Sequence, residues 1–295
     1  MTGGFLSTLT GSFAMPAGEN PTVAMMEAAY AHHDLNWRYI NCEVAPECLG
    51  AAARGAMAMG WQGFNCSLPH KVAIIDHLDA LGESAAIIGA VNTVVREDAR
   101  YIGENTDGRG FVAALHDTLE PKGKSVMVLG AGGAARAIAV ELALAGAASV
   151  EIINRDPMRG RSLVATLNAR TPAAAAFRPW RGQLAVPAHI DLLVNATPVG
   201  LYPHVRQIPD VDITSLRPEM VVADGIHNPP RTRFLQAAAA KGCQTVDGLA
   251  MPVGQGALGF RYWTGLEPEV AVMHRALQRI FDRHLPKASR GPTPR

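Results

Sequence analysis

The sequence predicts an α/β chain of two domains: an N-terminal α/β domain, then a Rossmann-type, doubly wound parallel sheet. Short apolar runs of strand length alternate with helix-length segments between Ser125 and Ala223, the order that builds parallel β-α-β units. A glycine-rich turn, Gly130 to Ala135, separates the first of these runs from an Ala-rich helix. The 295 residues are enough to bury two cores.

In the first part of the chain, Thr22 to His33 (TVAMMEAAYAHH) reads as a helix, with Asn20-Pro21 as cap and first turn. Trp37 to Asn41 reads as a strand. Glu47 to Met59 reads as a helix leading into Gly63-Phe64-Asn65, and Val72 to Leu78 as the start of another. In the middle, Ser125 to Leu129 (SVMVL) is a short buried strand, Ala134 to Ala145 a helix and Ser149 to Ile153 a second strand. Asp191 to Asn195 and Met220 to Ala223 supply two more. From about Pro252 to Leu285 the chain reads as mostly helical. The expected divisions are residues 1–106, residues 107–249, and helices over 250–285 that pack back on the first domain. A Pro-rich basic tail, 286–295, is expected to be disordered.

Hydrophobic residues make up 48% of the chain and charged residues 18%, with a net charge of +1. That balance gives no electrostatic case for nucleic acid or an anionic membrane. The longest apolar helix-like stretch, Ala137 to Val150, carries Glu141 and is too short to span a bilayer. Cys42, Cys48, Cys66 and Cys243 form no C-x-x-C pair, and no His/Cys cluster has zinc spacing, so no metal is expected. No Lys or Arg precedes Arg38, so the charged start of a secretory signal is missing. A cytoplasmic protein with reduced thiols is the expectation.

Gly130, Gly132 and Ala135 fit G-x-G-x-x-[G/A], with Ala131, Gly133 and Ala134 completing the loop. The first glycine permits the tight turn, the second lets backbone approach a pyrophosphate, and the third small residue lets helix pack on strand. The helix N-terminus then offers free N–H groups and a positive dipole end to the phosphates. Strand, loop, helix and second strand follow in the order such a site needs, which makes the loop a nicotinamide dinucleotide site. The second strand ends at Asn154-Arg155-Asp156, where an NAD-specific fold usually places a carboxylate for the ribose 2′-hydroxyl. Asn154 at that end, with Arg155 and Arg159 suited to phosphate oxygens, favours NADP. Asp156 would repel a phosphate and keeps NAD as the alternative.

A dehydrogenase also needs a proton carrier. None of the five tyrosines has a lysine four residues later, which disfavours the Tyr-x-x-x-Lys arrangement. Among five lysines and 22 arginines, Lys71 is the only lysine in the first 121 residues. Lysine can give up a proton when desolvated and arginine cannot. Lys71 therefore reads either as a proton carrier or as a solvated lysine at a helix start.

The segments GFNCSLPHK, GAVNT, GENTDGRG, VLGAGGAARA, INRD, NATPVGLYP and DGLAMPVGQGA run in one order from about residue 63 to 265. Together they resemble the shikimate dehydrogenase family. The resemblance implies a two-domain enzyme with its active site in the interdomain cleft. It makes Lys71 and Asp107 the catalytic pair, and gives Asn92, Ser67 and Gln255 the ring hydroxyls of a substrate. It matches Asn154, Arg155 and Arg159 to a 2′-phosphate site, and places Thr197 and Gly248 along the cofactor. The implied substrate is a cyclic polyhydroxy acid of the shikimate or quinate kind, and the implied assembly a monomer or homodimer.

The pattern fails near the N-terminus. The family carries Gly-x-Pro-x-x-His-Ser-x-Ser-Pro, and its two serines grip the substrate carboxylate. Aligned on Pro21, those serines become Gly18 and Asn20, with Glu19 between them and one extra residue after Gly11. His227 stands where the family usually has tyrosine. A site whose donors for a carboxylate are changed discriminates strongly, so shikimate itself is expected to be a poor substrate, with Asn20 still contacting whatever binds. Two further readings are weighed against a dehydrogenase of cyclic hydroxy acids. One is another enzyme of this architecture, such as a methylenetetrahydrofolate dehydrogenase or a glutamyl-tRNA reductase-like protein. The other is a cofactor-sensing protein without catalysis. The clustered Lys71, Asn92 and Asp107 segments argue against the first, and the intact Lys71/Asp107 pair against the second, since a sensor has no need of a proton carrier.

Overall fold

A computed structural model describes residues 5–116 and 118–284. The tail expected to be disordered, 286–295, lies outside the described residues. The described residues form two six-stranded sheets.

The first sheet contains β1 (Thr8–Ala14), β2 (Trp37–Glu43), β3 (Gly63–Cys66), β4 (Ala80–Leu81), β5 (Thr93–Glu97) and β6 (Arg100–Glu104), in the order β2-β1-β3-β5-β6-β4. Strands β2, β1 and β3 run parallel, and β5 is antiparallel to both β3 and β6. Helices α1 (Thr22–His32), α2 (Leu49–Ala58), α3 (His70–Ala73) and α4 (Glu83–Ile88) connect them. The apolar run expected to begin a helix at Val72 to Leu78 is instead the short α3 followed by a tighter 3₁₀ turn, Ile74–His77. Segments GAVNT and GENTDGRG, turn-like in isolation, are the two open ends of the β5–β6 hairpin. Its tip holds Asp98 at φ 56°, a left-handed conformation that aspartate tolerates.

Helix α5 (Thr106–Leu115) leads into the second sheet, formed by β7 (Ser125–Leu129), β8 (Ser149–Asn154), β9 (Ala174–Pro179), β10 (Leu192–Asn195), β11 (Val221–Asp224) and β12 (Gln244–Val246). All its strands are parallel, in the order β12-β11-β10-β7-β8-β9. Helices α6 (Gly133–Leu144), α7 (Pro157–Arg170) and α8 (Arg233–Ala240) cover it. Strand β7 is apolar on both faces, as a strand covered on both sides must be. Val126 and Val128 join the core that contains α6, while Met127 and Leu129 join the core that contains α8. Strand β9 (AAAFRP) escapes a pattern reading because its alanines carry no β preference.

The last two helices among the described residues, α9 (Ala250–Thr264) and α10 (Val270–His284), return to α1. Met273, Leu277 and Phe281, spaced four apart on one face of α10, share a core with Met25, Met26, Tyr30 and Phe260. Helices α5 and α9 cross where Gly110 meets Gly254: a Cβ on Gly110 would lie 2.3 Å from the backbone nitrogen of Gln255. Only glycine permits that approach.

Candidate active site

The β5–β6 hairpin sets the site. It leaves Asn92 just before β5, and Asn105 and Thr106 just after β6, so that residues far apart in sequence meet. The Asn105 side chain accepts from the backbone N–H of Asp107 at 3.2 Å and caps α5. Asp107 is thereby fixed in the first turn, 7% exposed. Lys71, on α3, donates to Asp107 Oδ2 at 2.5 Å. Its side chain is 30% exposed, so the pair is open to solvent on the lysine side.

Asn92 is 2% exposed. Its amide nitrogen lies 2.8 Å from Asp107 Oδ1 and 2.9 Å from Gln255 Oε1, and its oxygen accepts from the Thr106 N–H at 2.7 Å. The glycine crossing of α5 and α9 brings Gln255 into this group. Four of the expected residues, Lys71, Asn92, Asp107 and Gln255, therefore form one connected cluster. Ser67 sits between β3 and α3, its N–H bonded to the Phe13 carbonyl at 3.0 Å.

A polar row crosses the first sheet toward the cluster. Asn41, Ser12, Asn65 and Thr93 are register partners on β2, β1, β3 and β5, so their side chains share a face. Ser12 donates to Asn41 Oδ1 at 2.9 Å, and Asn20 Nδ2 donates to Ser12 Oγ at 3.0 Å. Asn65 donates to the Asn92 carbonyl at 3.1 Å and accepts from the Tyr39 hydroxyl at 2.7 Å. Apart from Lys71 and Asp107, the row and cluster are built of amides and hydroxyls. Sequence reasoning missed Ser12, Tyr39, Asn41 and Asn65. Asn65 lies in the segment GFNCSLPHK, but its role was not marked; strand register unites it with Ser12 and Asn41, and Tyr39 lies two residues before Asn41 on β2.

The second group lies at the edge of the other sheet. The chain leaves β7 toward β8 on one side and returns as β10 on the other, which makes the β7/β10 boundary the topological switch point where such folds bind ligands. A cavity of about 640 Å³ opens there, lined by Gly130, Ala131, Gly132, Asn154, Arg155, Arg159 and Thr197 among others. Gly130 has φ +112°, and a Cβ there would lie 2.8 Å from the Ala196 carbonyl oxygen. The start of α6 has no side-chain cap, so its first-turn N–H groups lack a side-chain partner; Gly132, Gly133 and Ala134 are exposed there, and Gly132 lines the opening. An open glycine edge, free helix N–H groups and two arginines fit a phosphorylated dinucleotide.

Two expected cofactor residues sit differently. The Asp156 side chain turns away to cap α7, accepting from the N–H groups of Met158 at 2.9 Å and Arg159 at 3.3 Å. One oxygen serves the helix N-terminus and the other lies 3.6 Å from Arg159 Nε, so its negative charge is shared between them, which lessens the objection to a phosphate nearby. Gly248 is buried against the Ile226 backbone and is not among the cavity's lining residues. The wall also contains Trp180, Gln207, Ile208 and Asp210, which the motif did not mark. The Trp180 indole donates to the Asp210 carbonyl at 3.3 Å.

Thr197 is held from beneath. Asn195 Oδ1 accepts from the Thr197 hydroxyl at 2.7 Å, and Asn195 Nδ2 donates to Asp224 Oδ1 at 3.0 Å. Thr232 donates to the other Asp224 oxygen at 2.7 Å. Burial pushes the Asp224 carboxyl up to about 7, opposed by these hydrogen bonds. The two groups are linked through helix packing: a Cβ on Gly108, beside Asp107, would lie 2.2 Å from the Ala137 carbonyl oxygen of α6. That carbonyl is about one turn, roughly 6 Å, from the end of α6 that opens the cavity. His227 is exposed, its ring 5.8 Å from that of Phe281. No group of three or more His, Cys, Asp or Glu that could hold a metal occurs among the described residues, and no helix there is long and apolar enough to cross a membrane.

Residues 13–94 match the family model for the shikimate dehydrogenase substrate binding domain, and residues 248–278 that for the shikimate 5′-dehydrogenase C-terminal domain. Shikimate dehydrogenase (NADP(+)) of Desulforamulus reducens is 40% identical over 273 residues, covering 91% of this chain and 94% of the relative. The crystal structure of ligand-free 5-ketofructose reductase of Gluconobacter sp. strain CHM43 is similar with a TM-score of 0.92 and 53% identity, covering 94% of this chain and 100% of that one. Quinate dehydrogenase from Corynebacterium glutamicum, in complex with NAD, is similar with a TM-score of 0.84 and 31% identity, covering 92% and 99%.

Proposed function

The chain belongs to the shikimate dehydrogenase family of oxidoreductases, and on that footing we propose that it reduces a carbonyl of a neutral, polyhydroxylated ketose with NADPH. The observation that carries this is the altered substrate grip. Gly18 and Asn20 stand where the family has two carboxylate-binding serines, and the row behind them is made of neutral amides and hydroxyls. Such groups match the hydroxyls of a neutral sugar, whereas of the two hydroxyl donors that grip a carboxylate in the family one is lost at Gly18 and the other is an amide at Asn20. The 53% identity to a 5-ketofructose reductase supports the same class.

In the reduction, Lys71 gives a proton to the carbonyl oxygen as the carbonyl carbon becomes a CH–OH. Asp107, bonded to Lys71, holds the ammonium in place and carries the countercharge. Asn92, Ser67 and Gln255 hydrogen-bond the sugar hydroxyls and orient the reacting carbon. In the reverse direction Lys71 takes the hydroxyl proton. When bound, the nicotinamide would supply the hydride, or accept it in reverse. Gly130 to Ala134 would cradle the pyrophosphate, and Asn154, Arg155 and Arg159 would hold the 2′-phosphate, with NAD the alternative cofactor. In this reading residues 1–106 bind substrate, 107–249 bind the dinucleotide and 250–285 pack back on the first part, in a monomer or homodimer.

A second reading, a cyclic polyhydroxy acid of the shikimate or quinate kind, is favoured by the names of the relatives. Steady-state kinetics with 5-ketofructose, 3-dehydroshikimate, shikimate and quinate separates the two. The ketose should reach a kcat/KM in the ordinary enzyme range of roughly 10⁴–10⁸ M⁻¹s⁻¹, with the acids far below. An acid in that range and a silent ketose would replace the first reading by the second. No turnover of any member would favour a sensor.

A further inference from the structure

Three residues from three separate elements close a ring of hydrogen bonds at the altered grip. Asn20 Nδ2 donates to Ser12 Oγ at 3.0 Å, Ser12 Oγ donates to Asn41 Oδ1 at 2.9 Å, and Asn41 Nδ2 donates back to the Asn20 carbonyl at 2.9 Å. A fourth bond ties the ring to α1: the Thr22 N–H donates to Asn20 Oδ1 at 3.1 Å. Ser12 is fully buried at the centre.

The ring fixes which way the Asn20 amide faces. Turning it over would set its oxygen against Ser12 Oγ, whose hydrogen is committed to Asn41. It would also set its NH₂ against the Thr22 N–H, donor against donor. Asn20 Oδ1 is engaged by α1 and one Nδ2 hydrogen by Ser12. One amide hydrogen is left for a ligand. The loop that presents it is pinned by Glu43, whose carboxylate accepts from the Ala17 N–H at 3.1 Å, and it carries Glu19 at its surface. Both acidic side chains oppose a second negative charge here.

We propose that Ser12 and Asn41 are positioning residues for substrate: they hold Asn20 so that it offers a single N–H to a neutral oxygen of the sugar. This rests on the ketose reading above and names the residues that set it. Ser12 and Asn41 touch no substrate. They act through Asn20, and their register partners Asn65 and Thr93 continue the same row to the Lys71–Asp107 pair.

A double-mutant cycle tests this. Asn41→Ala removes both the acceptor of the Ser12 hydrogen and the donor to the Asn20 backbone. It should raise KM for the ketose roughly 5- to 50-fold, the range of one lost hydrogen bond in a polar site, while kcat changes less than about threefold. Ser12→Ala should act in the same direction. In an Asn20→Ala background, Asn41→Ala should add nothing to KM, because the group it positions is gone. The Kd for NADP⁺ and the thermal midpoint serve as controls that a merely structural defect would move. A KM for Asn41→Ala within about twofold of wild type, or an effect that adds fully to that of Asn20→Ala, overturns the proposal. The series is read with whichever of 5-ketofructose or 3-dehydroshikimate the wild type turns over. If that is 3-dehydroshikimate, the ketose reading falls while the cycle still decides the positioning role. Turnover of neither overturns both.

Discussion

Replacing both Arg155 and Arg159 by alanine should weaken NADP⁺ binding by roughly 30- to 150-fold and leave NAD⁺ binding nearly unchanged. Both residues line the cavity at the end of β8. A hydrogen bond between an ionised donor and a phosphate contributes about 1.5–3 kcal/mol. The Arg159 side chain is 73% exposed and shares its charge with Asp156 at 3.6 Å, so water and a competitor both reduce its share. Taking about 1–1.5 kcal/mol from each gives about 2–3 kcal/mol for the pair, and every 1.4 kcal/mol is about tenfold in Kd. Titration calorimetry with NADP⁺ and NAD⁺ reads the difference directly. Asp156→Ala is the informative companion: its carboxylate caps α7, so its removal should cost about 1 kcal/mol of stability without strengthening NADP⁺ binding more than a few-fold. An equal loss of NADP⁺ and NAD⁺ affinity in the double arginine variant would refute the reasoning, as would tighter binding of NAD⁺ by the wild type.

Lys71→Ala should lower kcat by about 10²- to 10⁴-fold, the range of a lost general acid, with the Kd for NADP⁺ unchanged. A folded variant with full activity would remove Lys71 from the mechanism. Asp224 gives a pH prediction. Burial raises its carboxyl from 3.8 to about 7 in the folded chain, so the folded state binds the proton more readily than the unfolded one. The stability this confers is fully present below about pH 3.8 and is lost as pH rises through about 7, a span of the order of 4 kcal/mol. Asp224→Asn keeps the shape and cannot titrate. Urea unfolding at several pH values between 4 and 7.5 should therefore show a falling wild-type stability relative to the variant. Parallel curves would show that Asp224 stays ionised, held by Thr232 and Asn195.

Local sequence carried the second sheet well, because SVMVL, the glycine turn and the Ala-rich helix are each decided by neighbours along the chain. The first sheet was less legible. Asn92 and Asp107 flank the open end of a hairpin whose strands, TVVRE and RYIGE, carry charges. Both segments therefore read as turns. The family resemblance, rather than periodicity, marked Asn92, Asp107 and Gln255. The fold explains why they meet: a capped α5 start, and a glycine crossing that only glycine on both helices allows. The Ser12–Asn20–Asn41 ring had no linear signature. Its members come from β1, the loop before α1 and β2, and only strand register brings them together. Asp156 shows a signal passed over, since Asp156-Pro157 is the same cap-and-proline start that was read at Asn20-Pro21.

The most direct test of the account is a crystal structure of the chain with NADP⁺ and the alcohol formed from 5-ketofructose. The account predicts the new hydroxyl within about 3.2 Å of Lys71 Nζ, and another sugar oxygen within the same reach of Asn20 Nδ2. A sugar bound away from the Lys71–Asp107–Gln255 cluster would contradict it. So would a parallel complex in which shikimate sits in the cluster with its carboxylate on the Gly18 to Asn20 loop.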